Sequence, residues 1–211
     1  MKSYKSTDSK GYLQVYRLSL IVGLILLSIL AHRFPYFSFD LQISRALQNN
    51  HQPLFSLIMN LVTEVGDDLH LEIIVMAATV ILFYRGYKLE ALKAVVFAVS
   101  AAASGTLLKI LVGRPRPASS LVVVQEVLAD KSFPSLHVLI FTAFFGYTFY
   151  LSLYKVKTLW LRLLIAIGSG FLILTIGLSR IYLGAHWASD TLGGYLLGLL
   201  LISFIIAHAK R

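Results

Sequence analysis

The sequence predicts an all-α membrane protein: a six-transmembrane-helix bundle with short amphipathic interfacial helices between spans one and two. Three observations carry this expectation. Of the 211 residues, 57% are hydrophobic and only 14% charged, where a soluble domain carries about 25% charged residues. The mean hydropathy is +0.77. Apolar runs close to the roughly 20 residues that cross a bilayer recur along the chain between short polar breaks. No linker, low-complexity tract or internal repeat interrupts them, so residues 1–211 are expected to form a single integral-membrane domain.

The first expected span is 16–33. No small-residue cleavage site follows it, and His32-Arg33-Phe34-Pro35 comes instead, so it reads as a retained anchor rather than a signal peptide. Residues 40–66 are half apolar. Leu41, Ile43 and Leu47, then Leu54, Leu57, Ile58 and Leu61, recur at helical spacing, which predicts amphipathic helices at the membrane surface. Span two, 69–85, is the weakest because Glu72 lies near its start. Spans three to six are 91–112, 137–154, 159–179 and 190–207. Gly194 and Gly198 form a small-xxx-small pattern that predicts close helix packing, and Gly168 and Gly170 are assigned the same role. Trp160 and Trp187 suit an interfacial aromatic belt. Sequence names no partner for His32, His51, His70 or His208, and reads Glu64, Asp67 and Asp68 as a solvated acidic cluster.

Six spans put both termini on one side. The opposite side then holds Arg33, Arg45, Lys109, Arg114, Arg116, Lys131 and Arg180, seven of the 19 Lys and Arg residues, leaving twelve with the termini. The positive-inside rule places the termini in the cytoplasm. The net charge of +9 flanks apolar segments instead of forming one basic face. The membrane bilayer, and not nucleic acid, is therefore the expected partner. Cysteine is absent, which excludes disulfides and thiolate metal sites. The oligomeric state is not encoded in any pattern found.

Three clusters carry the chemistry: Lys109 through Gly113-Arg114-Pro115-Arg116-Pro117; Phe133-Pro134-Ser135-Leu136-His137; and Ser179-Arg180 with His186 and Asp190. The expected spans bring all three to the extracytoplasmic face. Lys109, Arg180 and either Arg114 or Arg116 offer three positive charges to a phosphoryl group, arginine through paired donors and lysine as a point charge. Ser135 precedes an apolar helix, where a hydroxyl and the free N–H groups of the first turn can hold an anion. His137 sits at that helix start, placed to deliver a proton. His186 and Asp190, four apart, share a face on a helical turn. A carboxylate on one imidazole nitrogen leaves the other free to attack.

In order and spacing the clusters resemble the type 2 phosphatidic acid phosphatase (PAP2) superfamily, which also includes vanadium haloperoxidases. Its pattern is Lys, six residues, Arg-Pro; then Pro-Ser-Gly-His; then Ser-Arg, five residues, His, three residues, Asp. The first spacing selects Arg116 over Arg114, and the third matches at Ser179-Arg180, His186 and Asp190. The resemblance implies that His186 attacks phosphorus and forms a phosphohistidine while Asp190 orients it. It implies that His137 protonates the leaving oxygen and then activates water. Lys109, Arg116, Arg180, Ser135 and an amide near Leu136 would bind the phosphate, with no metal and no cofactor. A lipid phosphate would be the substrate, with undecaprenyl diphosphate or phosphatidylglycerophosphate ahead of phosphatidic acid and lipid A phosphates. Leu136 stands where the family has Gly. Pro-Ser-Leu-His looks like the motif of inositol phosphorylceramide synthases, so a lipid phosphotransferase is the alternative. A third reading takes His137, His186 and Asp190 as zinc ligands, and a fourth makes the site catalytically inactive. Two-histidine chemistry predicts a bell-shaped pH profile with limbs near neutrality.

Overall fold

The structure, a computed structural model, describes the backbone of residues 4–66 and 68–209 and the side chains of residues 11–66 and 69–204. The side chains of Lys2, Lys5, Lys10, Asp67, Asp68, His208, Lys210 and Arg211 lie outside the described residues. Among those described, the chain forms eight α-helices and no strand: α1 (Tyr4–Arg33), α2 (Ser38–Gln48), α3 (Pro53–Val65), α4 (Asp68–Tyr84), α5 (Lys88–Val112), α6 (Leu136–Lys155), α7 (Leu159–Tyr182) and α8 (Ala188–Ala209). The all-α expectation holds. Each expected span lies on one helix, but only α1, α5, α6 and α7 have described segments long and apolar enough to cross a membrane by themselves. Helix α4 has 17 residues, about 26 Å of rise against a hydrocarbon core of about 30 Å. The described part of α8, residues 188–204, is likewise a shorter apolar helix.

Local chemistry sets the boundaries that matter for the site. Helix α5 stops at Gly113, whose left-handed φ of 65° turns the chain, with its N–H bonded to the Lys109 carbonyl at 3.0 Å. Pro115 and Pro117 then bar helical continuation. Helix α6 restarts only after Pro134, with Ser135 extended at the N-cap. The intervening residues 113–135 form a long loop.

Helix α6 is the centre of the bundle and packs against α5, α7 and α8. Phe141, Leu139, Val138 and Ala143 are fully buried on it. Gly194 and Gly198 let α8 approach closely. A Cβ at Gly194 would stand 2.8 Å from the Ser135 carbonyl oxygen, and one at Gly198 2.6 Å from the Thr142 Cβ. Gly168 and Gly170 behave differently from expectation, since a Cβ at either meets nothing within 4 Å. Trp187 also departs from the belt reading: it is 1% exposed, 5.4 Å from the Tyr36 ring, while Trp160 is 67% exposed.

Helix α1 docks on α8 through Arg17, which donates to the hydroxyl (3.1 Å) and carbonyl (2.5 Å) of Ser203. His32, without a partner in sequence, meets the Val112 carbonyl of α5 at 2.9 Å through Nδ1. Residues 40–66 form two short helices as expected: on α3 Leu54, Leu57 and Leu61 face outward and Met59 and Val62 inward, while α2 buries Asp40 and Ser44 and exposes Phe39 and Ile43. The Ser179 hydroxyl donates to the Met59 carbonyl at 2.8 Å and also contacts the Thr63 hydroxyl, fixing α3 on α7. Helix α2 braces the long loop. Gln48 Nε2 donates to the Val123 carbonyl at 2.7 Å while its Oε1 accepts the Val123 N–H at 3.0 Å.

Candidate active site

The turn between α7 and α8 presents His186. Gly184 makes the turn possible with φ 68°, and a Cβ there would lie 2.1 Å from the Val123 carbonyl oxygen, so the loop backbone packs directly on the missing side chain. The N–H groups of Ala185 and His186 both donate to the Arg180 carbonyl, at 3.1 and 3.2 Å, which ties the turn to the end of α7. His186 is 1% exposed. Burial pulls its imidazole down to about 3, and the Arg116 and Lys109 cations add to that, against the opposing pull of Asp190. The ring is thus neutral through the physiological range. Its Nε2 lies 3.1 Å from an Arg116 guanidinium nitrogen.

Asp190 is not on the same helical turn as His186. His186 precedes α8, and Asp190 occupies the third position of that helix, where its Oδ2 reaches back to accept the Trp187 N–H at 2.9 Å. That oxygen is 3.7 Å from His186 Nδ1, beyond hydrogen-bond range. Ser132 stands between them. Its hydroxyl donates to Asp190 Oδ2 at 2.5 Å and lies 3.5 Å from the same imidazole nitrogen. The carboxylate therefore faces Nδ1 and leaves Nε2 toward the cations.

The tandem arginines divide. Arg116 faces His186, donating also to the Ala185 carbonyl at 2.7 Å. Arg114 points the other way and is 1% exposed. It donates to Asp190 Oδ1 at 2.5 Å, Asp40 Oδ2 at 2.9 Å and the Ser189 hydroxyl at 2.7 Å. Asp40 of α2, fully buried, also accepts the Ser189 N–H at 2.8 Å through Oδ1. One buried cation thus joins two buried carboxylates, one from an interfacial helix and one beside the imidazole. The single guanidinium serves both carboxylates, and neutral donors from Ser132, Trp187 and Ser189 satisfy their remaining oxygens.

Lys109, on the last turn of α5, and Arg116 grip a single carboxylate. Lys109 Nζ is 2.8 Å from Asp130 Oδ2 and also donates to the Lys131 carbonyl, while Arg116 reaches Asp130 Oδ1 at 2.5 Å. Burial would raise the Asp130 carboxyl, but the hydrogen bonds from Lys109 and Arg116 outweigh it and bring it to about 2. Arg180, buried on α7, pairs with Glu126 of the same loop. His137, in the first turn of α6, lines a cavity of about 540 Å³ with Arg180, Glu126, Glu64, Asn60 and His70. Glu64 and His70 are therefore beside the candidate site. Ser135 is fully buried. Its hydroxyl makes no side-chain cap bond and has no hydrogen-bond partner, and its N–H is taken by the Asp190 carbonyl at 3.1 Å. The Leu136 side chain lies on α5, where a Cβ at Gly105 would come within 2.4 Å of its Cδ2.

All eight residues expected at the site are thus gathered at one end of the bundle, although the Leu136 side chain is directed against α5 and the Ser135 hydroxyl is buried without a partner. Four neighbours had no sequence signal: Asp40, Ser132, Glu126 and Asp130. Each is a common polar residue outside the spaced clusters, and only the fold brings it near them.

Residues 90–211 match the model of the PAP2 superfamily. The chain is 29% identical over 189 residues to phosphatidylglycerophosphatase B of Bacillus subtilis (strain 168), covering 89% of this chain and 91% of that protein. It is 32% identical over 127 residues to the bacitracin transport permease protein BcrC of Bacillus licheniformis, covering 59% and 58%. Among solved structures it resembles a transmembrane PAP2-type phosphatidylglycerolphosphate phosphatase from Bacillus subtilis, with TM-score 0.79 and 24% identity over 92% of this chain and 96% of that one. It also resembles Aquifex aeolicus LpxE, with TM-score 0.61 and 23% identity over 82% and 96%. Matched by the family model over residues 90–211, more than half of its length, and carrying the three clusters within that match, the chain belongs to the PAP2 superfamily.

Proposed function

We propose that this protein is a membrane lipid phosphatase that works through a phosphohistidine at the extracytoplasmic leaflet. The observation that carries the reading is the buried imidazole of His186 with Nε2 3.1 Å from Arg116, beside cations that already hold carboxylates as an anion site should. The relative named phosphatidylglycerophosphatase B, aligned over 91% of its length, supports a phosphatidylglycerophosphate-type substrate, and a lipid diphosphate such as undecaprenyl diphosphate remains the second candidate. The single membrane domain over 1–211 and the cytoplasmic termini belong to the same proposal, supported by the charge bias across six crossings.

The reaction balances without a metal or cofactor. His186 Nε2 attacks phosphorus, the bond to the lipid oxygen breaks, and His137 gives that oxygen its proton. His137 then takes a proton from water, the resulting hydroxide displaces the imidazole, and orthophosphate leaves. Lys109, Arg116 and Arg180, with the first-turn amides near Leu136, hold the equatorial oxygens, where charge stabilisation is the main catalytic effect. Asp190, steadied by Ser132 and Arg114, stabilises the cationic imidazole as it forms.

The position of the Leu136 side chain against Gly105 favours hydrolysis over transfer, because the added isobutyl group is absorbed between α5 and α6. The zinc reading requires His137, His186 and Asp190 around one ion. Among the described residues no three such side chains converge in that way, and Asp190 Oδ2 is taken up by Ser132 and Trp187.

The test is phosphate release by the purified protein from a panel of lipid phosphates and diphosphates, with and without EDTA and with and without a lipid alcohol. Chelator-resistant release that the alcohol leaves unchanged is expected. Release abolished by EDTA refutes the metal-free mechanism, and phosphoryl appearing on the alcohol establishes the transferase.

The pH profile follows from His186. It attacks in its neutral form, so its limb is the loss of rate as pH falls through about 3, far below the near-neutral limb that sequence suggests. An acid-side inflection in kcat/KM near pH 6 is then the second ionisation of the substrate phosphate. Replacing the substrate by a phosphorothioate analogue of lower pKa should move that inflection with it. An inflection that stays near 6.5 assigns it to the enzyme instead.

A further inference from the structure

We propose that Asp130 is an internal competing anion: in the resting protein its carboxylate occupies the place of a phosphoryl group between Lys109 and Arg116, and every ligand must displace it. The inference rests on the phosphatase reading only for its consequence, not for its test. Two oxygens of one carboxylate are engaged by two cations, Oδ2 by Lys109 at 2.8 Å and Oδ1 by Arg116 at 2.5 Å. That is the bridging contact two oxygens of a phosphoryl group would make. Arg116 is the same side chain that lies 3.1 Å from His186 Nε2, so one guanidinium contacts both the carboxylate and the attacking nitrogen. Both cations are largely buried, whereas the Asp130 side chain is 50% exposed and belongs to a loop. The cations also hold the Asp130 and Lys131 carbonyls, which leaves the carboxylate itself as the half-exposed partner with an open side toward solvent.

Glu126 repeats the arrangement four residues earlier. It is partly exposed on the same loop and pairs with the buried Arg180. The three cations assigned to phosphate thus share two carboxylates from residues 113–135, Asp130 between Lys109 and Arg116 and Glu126 on Arg180. An ion pair serving stability alone has no need to satisfy two largely buried cations with one half-exposed acid, since exposed pairs contribute little.

Internal competition has a defined consequence. When the binding-competent state is a fraction of the population, the apparent affinity of every ligand falls by that same fraction. Asp130 therefore weakens substrate, orthophosphate and membrane phosphodiesters alike. It keeps the site clear of the phosphodiester lipids that surround it, and it displaces orthophosphate after turnover.

The experiment compares the full-length protein with Asp130→Asn in detergent at pH 8, measuring binding of orthophosphate and of sulfate, two tetrahedral dianions, at matched ionic strength. Asp130→Asn should bind both about tenfold more tightly, the scale of a close charge pair, and by the same factor for each. Glu90→Gln, which removes a carboxylate paired with Lys155 at the opposite end of α5, should leave both affinities unchanged. Weaker binding in Asp130→Asn overturns the proposal and makes Asp130 an organiser of the cations. Tightening of one anion without the other also overturns it, because a competitor acts on all ligands equally. Failure of orthophosphate to bind any of the proteins overturns the anion site itself. Intact anion binding without hydrolysis of any lipid phosphate refutes the phosphatase and leaves the competition result standing.

Discussion

His186→Ala is expected to lower phosphate release by about ten-thousandfold or more, the scale of losing an attacking group, while orthophosphate still binds. The two outcomes separate because they depend on different groups. Lys109, Arg116 and Arg180 reach the site from α5, the loop and α7, and none depends on the imidazole for its position. The Arg116 guanidinium keeps its bonds to the Ala185 carbonyl and Asp130 when the ring is gone. Replacing a neutral, buried imidazole by methyl also leaves no charge unpaired, so the melting temperature should change little. Activity surviving in the variant would remove His186 as nucleophile. Loss of both activity and anion binding would mean that the ring positions the cations and does not attack.

Arg114→Leu should be the most destabilising single change in the site, costing about 3–5 kcal/mol through the two carboxylates it leaves without a cation. Asp40 and Asp190 both have fully buried side chains and both lie against this guanidinium. Arg116→Leu, two residues along, should leave the melting temperature near that of the unaltered protein and abolish anion binding, since its carboxylate partner is half exposed. Arg114→Lys should recover part of the stability, retaining the charge while losing the fork that spans Asp40, Ser189 and Asp190. Equal melting temperatures for Arg114→Leu and Arg116→Leu would refute the division of labour between the tandem arginines.

That division marks the boundary of what sequence could reveal. The spacing from Lys109 selects Arg116 through the family pattern, and the structure turns that side chain to His186. Nothing in Gly113-Arg-Pro-Arg-Pro announces that Arg114 faces inward, because its partners lie 74 and 76 residues away. The helices were legible because apolar length is a local property, and so was the α6–α8 contact through Gly194 and Gly198. Gly168 and Gly170, two apart rather than four, leave open space where a Cβ would stand, since a small residue permits close approach without requiring it. His186 and Asp190 were legible as a pair but not in geometry. Four residues normally means one helical face, yet Gly184 ends the preceding turn and α8 starts only after Trp187, so the carboxylate meets the imidazole with Ser132 between them. Asp130 and Glu126 could not be found at all, being single acids in a loop whose path is set by backbone contacts with Leu183 and Gln48.

The burial of Asp40 makes the register of α2 as consequential as any residue that faces substrate. Neighbouring positions 39 and 41 hold Phe and Leu, and adding one residue to the 34–37 connection would rotate α2 by about 100°. An apolar side chain would then occupy the place of the carboxylate, against a guanidinium with nowhere to go. A short surface segment that looks like an ordinary linker is therefore intolerant of insertion. Length variation among proteins that keep this buried triad should concentrate after α2, in the 49–52 connection to α3.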